Sequence, residues 1–402
     1  MTTHRIARRL AALVLCGIPA AAATAGAQEP PAAPRFTIGP LMLYPRLEMR
    51  EVGWDDNVFN EAENPQSDFT ATITPRVNAE LRTGKVRTSV VTFVDFVYFN
   101  KFEGERAVNR AVEARFEIAE GILQPFVIGS ILDTHDRVNA EIDARAGRRL
   151  ATYGGGLSVM LTSRTALVVS GRRSDTDFDE DEVFNGVDLS RTMSSTVDTI
   201  DTTLRMALTP LTTWTTSGLL HRERFEAEPQ RDADSVIVST ALEFNPSALI
   251  AGRASVGYRN FDPLDNRLPA FDGVVSQVGL IYSLEGTRVE GTFEHDLRYS
   301  FEELQPYYVT TNGRLVITQR VAGPVDVQGI VGRILMRYRQ YDEGEAEVRR
   351  DRATLYGGGL GYRLGDTARL GMNVEWSHRR SDQQPDRQYD RRRVFASLTY
   401  GF

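Results

Sequence analysis

The sequence predicts an all-β protein: a transmembrane antiparallel up-and-down β-barrel of about eighteen strands, or sixteen if one hairpin is miscounted. Three observations predict it. From Tyr44 onward, segments of roughly 12–16 residues alternate apolar and polar side chains, the period of a strand with two unlike faces. The connections between those segments alternate short and long. The last nine residues, Val394 to Phe402, place Val394, Ala396, Leu398, Tyr400 and Phe402 on one face, so an apolar face runs to the end of the chain, where soluble proteins usually fray into a polar tail. An edge strand of a soluble sandwich also alternates, but lipid outside and water inside predict the same pattern in every strand. Mean hydropathy is −0.30, and no apolar run in the body approaches the ~20 residues of a membrane helix.

The start reads as a secretory signal. Arg5, Arg8 and Arg9 form its charged part, Leu10 to Ala23 its apolar part, and Ala25-Gly26-Ala27 its cleavage site. The expected division is a signal peptide over 1–27, a short periplasmic tail over 28–43 and an outer-membrane barrel over 44–402. The single cysteine, Cys16, leaves with the signal; Leu15 before it does not suit a lipoprotein site. Loss of the three arginines takes the formal charge from −7 to −10, which argues against nucleic acid as a partner.

Eight turns are short and carry Gly, Pro, Asn or Ser: 83–85, 120–122, 162–164, 209–211, 245–247, 285–286, 322–324 and 365–367. Nine other connections are mostly longer and more charged: 55–67, 102–107, 139–149, 178–191, 227–232, 263–271, 302–305, 342–350 and 382–390. Together they join eighteen strands with both termini on one side, the short links periplasmic and the long ones external. Two hairpins echo each other. One runs from Ala151-Thr152-Tyr153-Gly154-Gly155-Gly156 to Arg172-Arg173-Ser174-Asp175. The other runs from Ala353-Thr354-Leu355-Tyr356-Gly357-Gly358-Gly359 to Arg379-Arg380-Ser381-Asp382. The glycines let a strand bend or a neighbour's bulky side chain approach.

The stretch Val52-Gly53-Trp54-Asp55-Asp56-Asn57-Val58-Phe59, with Ser67-Asp68-Phe69 and Ile73-Thr74-Pro75, resembles the opening of the putative β-barrel porin 2 family. The resemblance implies a bacterial outer-membrane barrel, often associated with export of extracellular or capsular polysaccharide, and carries over no catalytic residues. The residues themselves suit the start of a loop, with Val58 and Phe59 tucked into the barrel mouth.

The polar faces supply the functional candidates. Arg288, Glu290, Glu294, Asp296 and Arg298 share one strand; Arg369 and Glu375 share another. In the segment Val325 to Tyr341, Arg333, Arg337 and Arg339 oppose Ile334, Met336 and Tyr338, so the arginines are expected in the lumen. Such walls select solutes by charge; the competing reading is that opposite charges pair across strands. Leu398, Tyr400 and Phe402 form the expected insertion signal, read by the barrel-assembly machinery. Asp175, Asp177, Asp179, Asp181 and Glu182 lack the Gly and terminal Glu of a full Ca²⁺ loop. The arginines of 222–224, 349–350 and 391–393 stand at strand ends, where lipopolysaccharide phosphates or water would meet them.

No metal spacing, phosphate loop or cofactor motif appears, and His135 and His221, on distant strands, do not make a catalytic pair. The expectation is therefore a non-enzymatic, porin-like channel for hydrophilic or anionic solutes in the outer membrane of a Gram-negative bacterium, with outer-membrane lipid, lipopolysaccharide and an exported exopolysaccharide as the expected partners. A structural or adhesive barrel with a blocked lumen stays open as an alternative, and a barrel hydrolase as a distant one.

Overall fold

The structure is a computed structural model that describes residues 36–340, 348–365 and 367–401. The expected signal peptide and Phe402 lie outside the described residues. The strands are β1 (Phe36–Ile38), β2 (Leu41–Asp55), β3 (Asp68–Thr83), β4 (Val86–Phe99), β5 (Ala107–Ile118), β6 (Leu123–Thr134), β7 (Arg148–Met160), β8 (Thr165–Phe178), β9 (Val183–Phe184), β10 (Val187–Asp188), β11 (Ser195–Thr209), β12 (Thr212–Phe225), β13 (Ala233–Phe244), β14 (Ile250–Pro263), β15 (Phe271–Leu284), β16 (Thr287–Tyr299), β17 (Tyr307–Ala322), β18 (Val325–Arg339), β19 (Arg350–Leu364), β20 (Ala368–Ser381) and β21 (Tyr389–Gly401). Eighteen of them, β2–β8 and β11–β21, form the wall. Each pairs antiparallel with its chain neighbour, and β21 pairs with β2 to close the barrel. The first wall strand starts at Leu41, ahead of the expected Tyr44, because β1 folds back as a short hairpin on its first residues.

Each expected short turn joins two wall strands at one end, and the longer connections gather at the other. A hairpin of β9 and β10 and the one-turn helix α1 (Leu189–Met193) occupy the loop after β8. The outward face is apolar and open: Phe96, Val127, Val169, Leu220, Val256, Val331, Leu360 and Met372 are all exposed. Water would not tolerate so continuous an apolar surface, whereas lipid requires it. Tyr356 and Trp376 stack on this face near its outer end, as interface aromatics do.

The echoed glycines make room for neighbours. A Cβ on Gly156 would lie 2.7 Å from the Phe126 ring and from Ser170 Cβ, and one on Gly359 would collide with the Asn373 side chain.

The wall departs from a plain cylinder at one place. The β15–β16 ladder stops at Ser276 and His295, although β15 continues to Phe271 and β16 to Tyr299. Beyond the gap the tip of the β16–β17 hairpin leans inward. Leu297, Tyr307 and Val309 then pack on Ala233, Phe261, Phe271 and Val275, which belong to the inner face of β13–β15.

Candidate functional site

Strand parity sends a polar set of side chains into the lumen, and most of its charges are paired. Arg288 Nε lies 2.7 Å from Glu290, and Arg259 Nη1 lies 3.0 Å from Asp296. Glu294 pairs with Arg298. Asp326 accepts from Arg369 at 2.6 Å and from Arg363 at 3.4 Å. Arg393 bridges Glu51 (2.7 Å) and Glu375 (2.5 Å). Glu51 reaches that position through a β-bulge with a positive φ of 53°, which turns two successive residues inward.

Arginine exceeds carboxylate in several of these groups. Glu117 is shared by Arg87 and Arg115, and Glu243 by Arg205 and Arg253. Arg76, Arg172 and Arg314 make no ion pair among the described residues. Each sits at the middle of its strand, on β3, β8 and β17, so they are spread around the wall at mid-height. Arg76 lies over the Phe93 ring at 4.8 Å. Arg172 belongs to an inward row with Thr199, His221 and Ser235.

Above this ring the external loops fold inward. The loop between β6 and β7 crosses to the far side of the mouth, where Glu141 and Ile142 are fully buried. Arg379, from β20, donates to the carbonyls of Ala140 (2.8 Å) and Glu141 (3.2 Å), to Asp143 (3.0 Å) and to Asp351 (2.7 Å). Arg387 donates to the Glu141 carbonyl, and Ser300 Oγ donates to Glu141 Oε1 at 2.6 Å. Ile142 and Ala146 pack with Phe178, Leu189 and Phe301. Arg349, itself buried, joins Asp351 (2.7 Å) to Glu302 (3.0 Å). The result is a constriction built of buried ion pairs. Burial pushes the Glu141 carboxyl up to about 7, against the opposing pull of the Ser300 hydrogen bond and of Arg387, Arg349 and Arg379.

The Asp-Asn-Val-Phe stretch anchors the same mouth. Asp55 is buried against Arg391 (2.9 Å) and accepts from Asn57 N (3.1 Å). Asn57 donates to the carbonyls of Glu61 (2.9 Å) and Asp390 (3.1 Å), which ties the first loop to the last strand. Val58 is buried with Val97 and Phe99, and Phe59 packs edge-on to Phe102.

Residues 30–402 match the family model described as Putative beta-barrel porin 2. The chain belongs to that family. Comparison with curated proteins gives no match. Among solved structures, it is similar to OccK2 (OpdF) of Pseudomonas aeruginosa, with a TM-score of 0.52 and 11% identity over 90% of this chain and 98% of that one. The structure of OccK2 (OpdF) in complex with glucuronate gives a TM-score of 0.51 and 10% identity over the same shares. At that identity the likeness is one of fold. Family and fold together make this chain a porin-like outer-membrane β-barrel.

Within this porin-family barrel, Arg288, Glu290, Glu294, Asp296, Arg298, Arg369 and Glu375 all face the lumen in the pairs given above. Arg333, Arg337 and Arg339 do not. The outward set of β18 is Val327, Val331 and Leu335, and the three arginines share its parity. Ile334, Met336 and Tyr338 instead point inward, Met336 and Tyr338 fully buried with Tyr308 and with Ala140 of the crossing loop. The expectation failed because apolar residues at the outer end of β18 are covered by a loop rather than by lipid. Leu398 does face outward, between Leu370 and Met49 on its neighbours.

The acidic loop does not converge. Asp175 and Asp177 belong to the outer face of β8, while the Asp179 backbone and the Glu182 carboxylate hold the two ends of Gly147. His135 Nδ1 sits 3.5 Å from Glu182, and His221 Nδ1 lies 3.5 Å from Thr199 Oγ1. The constriction itself escaped the sequence reading. Its one legible signal was the number of arginines clustered at loop–strand junctions.

Proposed function

We propose that this barrel is a passive, non-enzymatic channel for small hydrophilic solutes and that it favours anions. The observation that carries this reading is the mid-height set of Arg76, Arg172 and Arg314, cations with no carboxylate partner among the described residues. Rings of arginine select anions, because a permeating carboxylate or phosphate replaces the counter-charge that the wall lacks. A barrel of this fold holds a sugar acid in the OccK2–glucuronate complex, and small sugar acids are the solute class proposed here. The inward loop favours small solutes over a polymer, since passage of an exported polysaccharide would require the buried contacts of Glu141, Arg379 and Arg387 to break.

Planar-bilayer recording tests the reading. Discrete steps with an anion-directed reversal potential are expected, shifting toward cations when Arg76, Arg172 and Arg314 are replaced together by Gln. The same buried loop favours a second reading, a structural barrel with a closed lumen. Silent bilayers with correctly folded protein would select it. We further propose that the leader is removed during export, so that N-terminal sequencing of membrane protein starts at Gln28.

A further inference from the structure

We propose that the outer face of β18–β21, just beyond the Tyr356–Trp376 pair, binds the phosphates of lipid A in the outer leaflet. The argument rests on register. Elsewhere on the outer rim, arginine stands opposite aspartate: Arg110 opposite Asp133, Asp133 opposite Arg149, Arg173 opposite Asp198, and Arg222 opposite Asp234. Several of these form ion pairs, Arg173 with Asp198 at 2.7 Å among them. On β18–β20 the register sets arginine against arginine: Arg337 opposite Arg350, and Arg352 opposite Arg380. Like charges directly opposite destabilise a sheet unless an anion lies between them.

Arg333, Arg337 and Arg352 are exposed and make no ion pair among the described residues. The carboxylates close by are engaged: Asp390 with Arg380 (2.8 Å) and His378 (2.5 Å), Asp56 with Arg392 (3.6 Å), and Asp382 with the Arg350 backbone N–H (2.8 Å).

The occupant follows from what lies below. Val331, Tyr356, Leu360 and Met372 continue the same face as an exposed apolar surface. Tyr356 stacks on Trp376 with centroids 5.5 Å apart, marking the headgroup level. A ligand that meets both parts carries phosphates at one end and acyl chains at the other. Guanidinium forks match phosphate oxygens two at a time, which suits arginine to this position. Such a lipid also seals the strands next to the inward-leaning β16–β17 tip.

The test uses the full-length barrel in detergent. Thermal-shift titrations and native mass spectrometry compare bis-phosphorylated lipid A, lipid A stripped of both phosphates, and inorganic phosphate. The wild-type protein is expected to bind the bis-phosphorylated lipid and to show little response to the stripped lipid or to inorganic phosphate alone. Replacing Arg333, Arg337 and Arg352 together by Gln should weaken lipid A binding about tenfold, while Arg149, Arg173 and Arg222 replaced by Gln should leave it within about twofold. Equal binding of phosphorylated and stripped lipid by the wild type overturns the proposal without any variant. So does a full response to inorganic phosphate alone, which would make the patch a simple ion site. An equal loss in the control triple also overturns it. Residues 341–347, outside the described part, include Asp342, Glu343, Glu345 and Glu347. Neutralisation of the arginines by those acids would appear as absence of phosphate preference, the same overturning result.

Discussion

Glu141 shows how one buried side chain can couple the mouth of the barrel to pH. Its carboxyl is pushed up to about 7 by burial, from an ordinary value of 4.5. Ser300, Arg349, Arg379 and Arg387 face it, together with the phenols of Tyr308 and Tyr338. Between those two pH values the packed loop holds a proton that a loop released into water has lost. Packing is therefore favoured at low pH and loses that contribution as pH rises toward 7. Single-channel conductance should be lower at pH 5 than at pH 8, and Glu141→Gln should give a low, flat profile over the same range. Identical pH profiles for the wild type and this variant would mean that Glu141 does not hold the loop. Arg379→Ala removes the donor shared by Ala140, Glu141 and Asp143 and strips a partner from buried Asp351. Breaking a buried pair on one side costs about 3–5 kcal/mol. Faster proteolytic cleavage between residues 139 and 146 and larger conductance are expected. The role of Glu141 and Asp143 was not legible in the sequence, where they fall unmarked in the charged connection 139–149, because burial depends on where Arg379 lies after the barrel closes.

At the scale of strands, the alternation of faces was legible because backbone geometry alone imposes a period of two. The eight turns were legible for the same reason: Gly84, Gly121, Gly286, Gly323 and Gly365 all adopt positive φ, a local demand met by a local residue. The seam between β2 and β21 is the element most exposed to a small change. A Cβ on Gly53 would collide with the Val394 carbonyl and lie 2.6 Å from Phe395 Cα. Gly53→Ala should reduce the yield of folded barrel, whereas Gly329→Ala, with open space around its Cβ position, should not. Heat-modifiable gel migration reads both. Leu398→Arg places a charge in lipid and should cost between about 1 and 4 kcal/mol, the range from interface to midplane. Normal outer-membrane levels of that variant would contradict the outward placement of Leu398.

For the molecule as a whole, closure of eighteen strands predicts an unboiled species that migrates apart from the boiled chain. The sequence alone determined an even-stranded barrel of eighteen or sixteen strands, the turn positions, the end at which loops gather and the polar character of the lumen; closure fixed the count at eighteen. These follow from periodicity and turn chemistry, which act over a few residues. Only the tertiary structure decided what covers each apolar face. Met336 and Tyr338 carry the same signal as Val331 and Leu335, yet a loop covers the first pair, while the second pair faces outward with the lipid-facing set. It also decided which arginines face water and which face lipid, reversing the placement of Arg333, Arg337 and Arg339. The contacts responsible join residues far apart in the chain, such as Arg391 to Asp55 and Arg387 to Glu141. An apolar side chain does not record whether lipid or protein covers it, and a loop charge does not record its distant partner. Both are set when the barrel closes and brings those segments together.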